Sequence, residues 1–261
     1  MPSSKYRFAL VPLILTVLLS SSAASVSARG KLVLVVDDLG NQRHSGRAVI
    51  DSPWITTVAI MPGRPYTREL AQYAFEQGKE IIIHMPMSNE TDFPLGALGL
   101  NRADGEVTLV QNLHAALADV PHAVGLSNHM GSRLTQDREA MSWVMAILKQ
   151  FGLYFFDSRT VSTTIAHEVA AQYQLPWAMR NIFLDHYQTD VFIAEQWRLA
   201  LARARQGETV TVICHPYPET LRFLHNLTLN PEDLALLAPL SQVLNYDRIE
   251  QRPLRNFPQG T

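Results

Sequence analysis

Five strongly apolar, strand-like runs in this chain each end on an Asp, a His or an Asp-Arg cluster. The runs are 31–36 before Asp37 and Asp38, 80–83 before His84, 123–126 before Ser127, Asn128 and His129, 153–156 before Asp157, Ser158 and Arg159, and 210–214 before His215. α/β enzymes assemble their sites from side chains at the carboxyl ends of buried parallel strands, which meet at one edge of the sheet. The pattern therefore predicts an α/β enzyme.

Weaker strand-like and helix-like segments fill the spaces between these runs. Further strands are predicted at 56–60, 177–179 and 242–244, which gives seven or eight in all, and helices at 108–117, 137–151 and 191–205. This alternation is typical of βα units around a mostly parallel sheet. One long irregular stretch, 85–106, follows His84 directly. It is interpreted either as a wall of a substrate cleft or as a surface excursion.

Length and charge narrow the class of protein. The chain has 261 residues, which suits one α/β barrel or two smaller domains. Charged residues make up 18% and the net charge is −2, so we expect no basic surface for nucleic acid. The single cysteine, Cys214, excludes an intrachain disulfide and ends an apolar run. We interpret it as a buried hydrophobic residue rather than a reactive thiol.

The first 28 residues differ from the rest of the chain. Lys5 and Arg7 precede an apolar stretch of about twelve residues, and small residues follow up to Ala28. This order is typical of a secretory signal peptide, and the stretch is shorter than the ~20 residues of a membrane-spanning helix. We expect export to the periplasm with cleavage after Ala28, and membrane contact only through this segment if it stays uncleaved. One domain is expected over 29–250, followed by a C-terminal tail over 251–261.

Three of the strand-end residues form a set of metal ligands. Asp38, His84 and His129 each follow a different strand, so they are predicted to face the same mouth. An Asp and two His that leave a position open for water are typical of a catalytic site for a divalent metal such as zinc. The alternative is that each His only donates a hydrogen bond to a backbone carbonyl.

Other strand-end residues are candidates for proton transfer. Asp37 is placed to act as a base and His215 as an acid that protonates a leaving group. Asp157 is expected to orient the His215 imidazole, and Arg159 to pair with Asp37 or to bind a substrate oxygen. For Asp157 and Arg159, a structural salt bridge is an equal alternative.

Four further polar residues are candidates for substrate binding. Asn128 precedes a predicted ligand, and Arg180 and the pair Asp185-His186 follow the predicted strand at 177–179. We expect them to line the cleft. A structural role is an equal alternative for Asp185 and His186.

With these residues in hand, the chain resembles the divergent polysaccharide deacetylase family, a distant branch of the NodB-like carbohydrate esterases. The matching stretches are 36–40, 84–87, 128–132, 156–160 and 215–220. The resemblance implies an α/β fold with a deformed (β/α)7-type barrel, a divalent metal, and hydrolysis of an N- or O-acetyl group on a sugar polymer. It also implies that Asp37 is the base, Asp38 a metal ligand and His215 the acid.

Ordinary NodB-like enzymes carry two His four residues apart, whereas Ser88 takes the second position after His84. We therefore expect His129 to supply the second imidazole.

The favoured function is an exported metal-dependent hydrolase that acts on acetamide or acetyl ester groups of an envelope polysaccharide, such as peptidoglycan. One alternative is a glycoside hydrolase that uses Asp37 or Asp38 with Asp157 as paired carboxylates. Another is a glycan-binding or scaffold protein that has the fold without turnover.

Overall fold

The computed structural model describes residues 30–245. In this part of the chain, eight parallel strands form one curled sheet in the order β6-β5-β4-β3-β2-β1-β8-β7. The strands are β1 (Lys31–Leu39), β2 (Thr57–Ile60), β3 (Glu80–Met87), β4 (Gly125–Met130), β5 (Tyr154–Asp157), β6 (Trp177–Met179), β7 (Ile182–Phe183) and β8 (Thr209–Cys214). The predicted α/β class and the deformed barrel are confirmed.

The two edge strands of the sheet are consecutive in the chain. Only Arg180 and Asn181 separate β6 from β7. Thr211 on β8 donates its backbone N–H to Asn181 Oδ1 over 2.8 Å, and its hydroxyl donates to the Met179 carbonyl. These contacts link β6, one edge of the curled sheet, to β8, the neighbour of the other edge strand, because Met179 belongs to β6.

Helices cover the outside of the sheet. They are α1 (Arg43–Asp51), α2 (Thr67–Glu76), α3 (Gly105–Asp119), α4 (Arg138–Gln150), α5 (Ala166–Gln172), α6 (Asp190–Arg205), α7 (Pro218–Asn226) and α8 (Pro231–Leu234). Between residues 30 and 245, none of the helices is long and apolar enough to cross a membrane.

The strands are buried on both faces. Along β1, Leu32, Leu34 and Val36 pack outward against the helices, while Val33 and Val35 face the barrel interior. The interior also holds Ile82, Phe156 and Ile213. Parallel strands covered on both sides are continuously apolar in sequence, which explains why these runs were so readily predicted.

Two predicted helices begin at side-chain caps. Asp137 Oδ1 accepts the Ala140 N–H over 2.9 Å at the start of α4, and the Thr189 hydroxyl oxygen accepts the Phe192 N–H at the start of α6. Such caps satisfy N–H groups that have no partner within the helix. Both helices lie within one residue of the predicted bounds, whereas α3 begins at Gly105, three residues before the predicted start at 108.

The prediction of a strand at 242–244 was wrong. This region contains a 3-10 turn over Leu240–Gln242, and Leu240, Val243 and Leu244 pack onto the interior residues of the barrel. The apolar residues there contribute to the barrel core and form no strand. The two-residue β7 was not predicted because it is too short to show a pattern, and β3 continues to Met87 into the predicted loop. The signal segment 1–28 and the tail 251–261 lie outside the described residues.

Candidate metal centre

The end of β1 turns two consecutive carboxylates toward the same mouth. Val36 pairs with Val58 and Leu39 with Ile60, so β1 contains one residue more than β2 over the same span. Asp38 has a φ of +63°, a left-handed conformation that costs a non-glycine residue roughly 1–2 kcal/mol. Consecutive side chains of a regular strand face opposite sides, and a bulge re-aims one of them.

Asp38 lies between two imidazoles that come from neighbouring strands. Its Oδ1 is 3.2 Å from His84 Nε2 on β3 and 2.8 Å from His129 Nδ1 on β4. One ligand atom from each residue lies within 4.8 Å of the others. The structure therefore brings the predicted trio together at the carboxyl end of the barrel.

The contacts within the trio fit a shared cation. Asp38 Oδ1 is buried and has no contact of hydrogen-bond geometry with any described residue, although two ring nitrogens lie close to it. A close approach without hydrogen-bond geometry leaves the lone pairs of the Asp38 oxygen and of the two ring nitrogens available to coordinate a metal ion. One carboxylate and two imidazoles are a donor set of open catalytic zinc sites. The residues present thus fit a divalent metal.

The electrostatics keep Asp38 ionised. Burial alone favours the neutral acid, but the adjacent His129 and His84 outweigh it and hold the pKa of Asp38 well below its usual range. A carboxylate must be deprotonated to bind a metal. Asp38 is therefore in the ligating state throughout the neutral range.

Ser127 fixes the His84 ring and was not predicted to belong to the site. Its Oγ lies 2.7 Å from His84 Nδ1, and both residues are buried. A second nitrogen held in this way orients the ring and selects its tautomer. The sequence already indicated that Ser127 belongs to the site, because Ser127 lies two residues before His129 and so faces the same side of β4.

His215 is held by a buried carboxylate from the segment after β7. Asp185 Oδ1 lies 3.0 Å from His215 Nδ1, and Asp185 Oδ2 accepts the His215 backbone N–H over 2.6 Å and the Thr220 hydroxyl over 2.8 Å. Burial lowers the pKa of His215, but Asp185 outweighs this effect and raises it above the ordinary imidazole value. Both carboxylate oxygens of Asp185 are thus engaged with His215 or Thr220, and Asp185 positions His215.

The expectation that Asp157 orients His215 was wrong. Asp157 accepts the Arg159 backbone N–H over 2.8 Å and the Thr164 hydroxyl over 2.9 Å, and it is fully buried. Phe156 faces the barrel interior, so the next residue on β5 faces the helices. Asp157 is accordingly no partner for Asp37 or Asp38, which removes the second carboxylate of the glycosidase interpretation.

Asp37 is the second carboxylate at the mouth. It is 2% exposed, its Oδ2 lies 3.6 Å from His84 Nε2, and its Oδ1 has no hydrogen-bond partner among the described residues. Burial raises the pKa of Asp37 in spite of the opposing effect of His84 and His215. An unsatisfied buried carboxylate with a raised pKa is a candidate proton acceptor.

The remaining predicted residues have mostly structural contacts. Asn128 is fully buried, donates to the Met130 carbonyl and accepts the Ser158 N–H, because it faces away from His129 on β4. Arg180 donates to the carbonyls of Ser158 and Arg159, each over 2.7 Å. The substrate-binding role predicted for Asn128 was therefore wrong, and two of Arg180's nitrogens are already occupied.

Arg159 and His186 lie at exposed positions. Within 30–245, no ion pair joins Arg159 to Asp37. The backbone of Arg159 is left-handed, with a φ of +49°. His186 packs beside the Phe183 and Tyr187 rings.

Tyr217 is a further site residue that was not predicted. Its ring stacks on His215 with the centroids 5.2 Å apart and an interplanar angle of 28°. Together with Asp38 and Gly40 it lines a cavity of about 200 Å³. Burial, with Asp38 and Asp185 nearby, raises the pKa of Tyr217, so its phenol is neutral and able to donate a hydrogen bond into this cavity.

Residues 34–244 match the model of a family described as divergent polysaccharide deacetylase. The chain belongs to this family. The matched range contains all three residues of the trio as well as Asp37 and His215. The sequence-based prediction of the family is therefore confirmed.

Similar proteins occur in two bacteria. YibQ of Escherichia coli (strain K12), described as uncharacterized, is 34% identical over 222 residues, which are 85% of this chain and 69% of YibQ. An uncharacterized protein of Haemophilus influenzae Rd is 33% identical over 211 residues, 80% of this chain and 75% of that protein.

A crystal structure of an uncharacterized protein from Agrobacterium tumefaciens C58 has the same fold. Its TM-score is 0.71 at 20% sequence identity, and the match covers 77% of this chain and 82% of that one.

Proposed function

We propose that this protein is an exported, metal-dependent hydrolase that removes acetyl groups from the amide or ester positions of an envelope polysaccharide. One observation supports this most strongly. The Asp38-His84-His129 trio lies beside an unsatisfied buried carboxylate, Asp37, and His215 is held near that carboxylate by Asp185. A site that only binds glycans needs neither a base nor an acid.

Asp38, His84 and His129 would hold the metal, with zinc the expected ion. When bound, such an ion supplies Lewis-acid polarisation of the acetyl carbonyl and lowers the pKa of water. The protein residues keep this site ordered. Ser127 orients His84 and the left-handed backbone of Asp38 turns its carboxylate toward both rings.

Asp37 and His215 divide the proton transfers. Asp37 accepts a proton as water attacks the acetyl carbon, and the new C–O bond makes a tetrahedral species. The bond from that carbon to the sugar nitrogen or oxygen then breaks, and His215 donates its proton to the leaving atom. The products are acetate and the free amine or hydroxyl of the sugar. Asp185 favours the protonated form of His215, which this role requires.

The substrate class follows from the family and from the predicted export. A polysaccharide deacetylase family supports an acetylated glycan as substrate. The signal-like segment over residues 1–28 supports a periplasmic location, where envelope glycans such as peptidoglycan are accessible. Membrane contact would then occur only through that segment.

The test measures acetate released from acetylated glycans, together with bound metal. His215→Ala and Asp37→Asn should lower turnover by ~10²–10⁴ while metal content stays near the wild-type level. His114→Ala is a matched control, because His114 is an exposed histidine on α3, and it should retain activity. Near-normal turnover in both site variants would contradict the mechanism and favour a glycan-binding protein.

A further inference from the structure

A second cavity lies within the long loop that follows β3. It measures about 300 Å³ and is lined by residues between Ser88 and Asp104, a volume at the lower end for ligand sites. His129 pairs with Pro86 in the sheet register, and Ser88 lies two residues, or ~7 Å of strand, beyond Pro86. The cavity therefore lies at the same carboxyl end of the sheet as the metal trio.

One buried polar group in this cavity has no partner. Ser88 is 5% exposed, and its hydroxyl forms no hydrogen bond with the described residues. An unsatisfied buried hydroxyl costs free energy, so a ligand hydroxyl at this position would be stabilised.

The loop is built to present an aromatic ring at the cavity rim. Asn89 Oδ1 accepts the backbone N–H groups of Thr91 and Phe93 over 3.1 and 2.9 Å, and Asn89 Nδ2 donates to the Phe93 carbonyl. Arg133 pairs with Asp92 over 2.7 Å and holds the loop from the other side. The Phe93 side chain is left 62% exposed. A rigid loop that holds a large apolar ring in solvent is typical of a binding surface.

The lining chemistry selects a neutral, hydroxyl-rich ligand with an apolar face. The cavity has no Lys or Arg among its lining residues, so it does not favour an anion. Asp92 is occupied by Arg133, which leaves Asp104 as the one lining carboxylate without an ion pair in the described chain. A single carboxylate is too few for a divalent cation site. It is, however, a good acceptor for ligand hydroxyls, as is the Ser88 oxygen.

We propose that this cavity is a glycan subsite, in which one neutral sugar ring of the polymer stacks on Phe93 and hydrogen-bonds to Ser88 and Asp104. The assignment rests on the proposed function for the identity of the ligand. It implies that the protein recognises a chain of several sugars, because the subsite and the metal trio are separate positions at the same end of the sheet.

The test uses a five-residue β-1,4-linked N-acetylglucosamine oligomer and calorimetry on the metal-free full-length chain. Phe93→Ala should weaken binding by about fivefold or more, as for an aromatic anchor, and Asp104→Asn should also weaken it. Phe75→Ala is the matched control, because Phe75 is 55% exposed and lines a cavity with Glu80 at the amino end of β3. It should bind like the wild type.

Hydrolysis of 4-nitrophenyl acetate separates this proposal from the proposed function, since that small ester is too short to occupy both positions. Phe93→Ala should leave its hydrolysis unchanged while raising KM for the oligomer. Equal oligomer affinity in Phe93→Ala, Asp104→Asn and the wild type would overturn the subsite, as would a wild-type protein that does not bind the oligomer. Binding that depends on Phe93 in a protein without any hydrolytic activity would support the subsite and contradict the hydrolase.

Discussion

Replacing Ser127 with Ala tests whether His84 is held as a metal ligand. In the metal-binding tautomer, Nδ1 of His84 carries the proton and donates it to Ser127 Oγ over 2.7 Å, while the Nε2 lone pair faces the site. The ring is 2% exposed, so water does not replace the lost partner. In the variant, the metal-bound state retains a buried N–H without an acceptor, at a cost of about 1–3 kcal/mol.

In the metal-free protein, most of the free-energy cost of the unsatisfied N–H is absent. There the proton can move to Nε2, where the carboxylate oxygens of Asp38 and Asp37 lie at 3.2 and 3.6 Å. The penalty therefore falls on metal binding, and we expect a 10–100-fold weaker affinity, or about 1.4–2.7 kcal/mol. This agrees with the estimate from the unsatisfied N–H.

The assay is zinc affinity by chelator competition, with thermal unfolding of the metal-free proteins measured alongside. Ser142→Ala is the matched control, because it also removes a serine hydroxyl bond, in this case to the Arg138 carbonyl on α4. It should bind zinc like the wild type. A zinc affinity of Ser127→Ala within twofold of the wild type, in a folded protein, would refute the reasoning.

Three further predictions concern pH, stability and processing. Turnover needs protonated His215 and therefore falls as pH rises through the pKa of His215. Asp185→Asn removes the charge that raises this pKa, so the alkaline limb of the kcat profile should move to lower pH. An alkaline limb that does not move would exclude His215 as the acid. Asp157→Asn should lower stability by about 1–3 kcal/mol in denaturant unfolding yet leave turnover near normal, whereas a large loss of turnover would restore a catalytic role. Amino-terminal sequencing of periplasmic protein should begin at Arg29, and Met1 there would indicate an uncleaved anchor.

The metal trio was predictable because it depends on strand ends alone. Asp38, His84 and His129 follow apolar runs, and parallel strands bring their carboxyl ends to one edge. The bulge in β1 could not be predicted from the pattern. Without it, Asp38 would face the helices, since Leu34 and Val36, with which it alternates, pack on that side.

The partner of His215 was predicted wrongly because it depends on a strand of two residues. β7 pairs with β8, and the Leu184 N–H donates to the Ile213 carbonyl over 2.8 Å. This pairing sets Asp185 beside His215, and no periodicity in so short a segment indicates it. The error over Asn128 was avoidable, because alternation along β4 places it opposite to His129.

The most direct test of the account is calorimetric titration of the metal-free protein with zinc, in parallel with acetate release from an acetylated glycan. The account predicts one zinc ion per chain, loss of most binding in the Asp38→Ala, His84→Ala and His129→Ala proteins, and acetate release that requires the metal. Wild-type zinc binding in folded His129→Ala, or acetate release that is equal with and without metal, would contradict it.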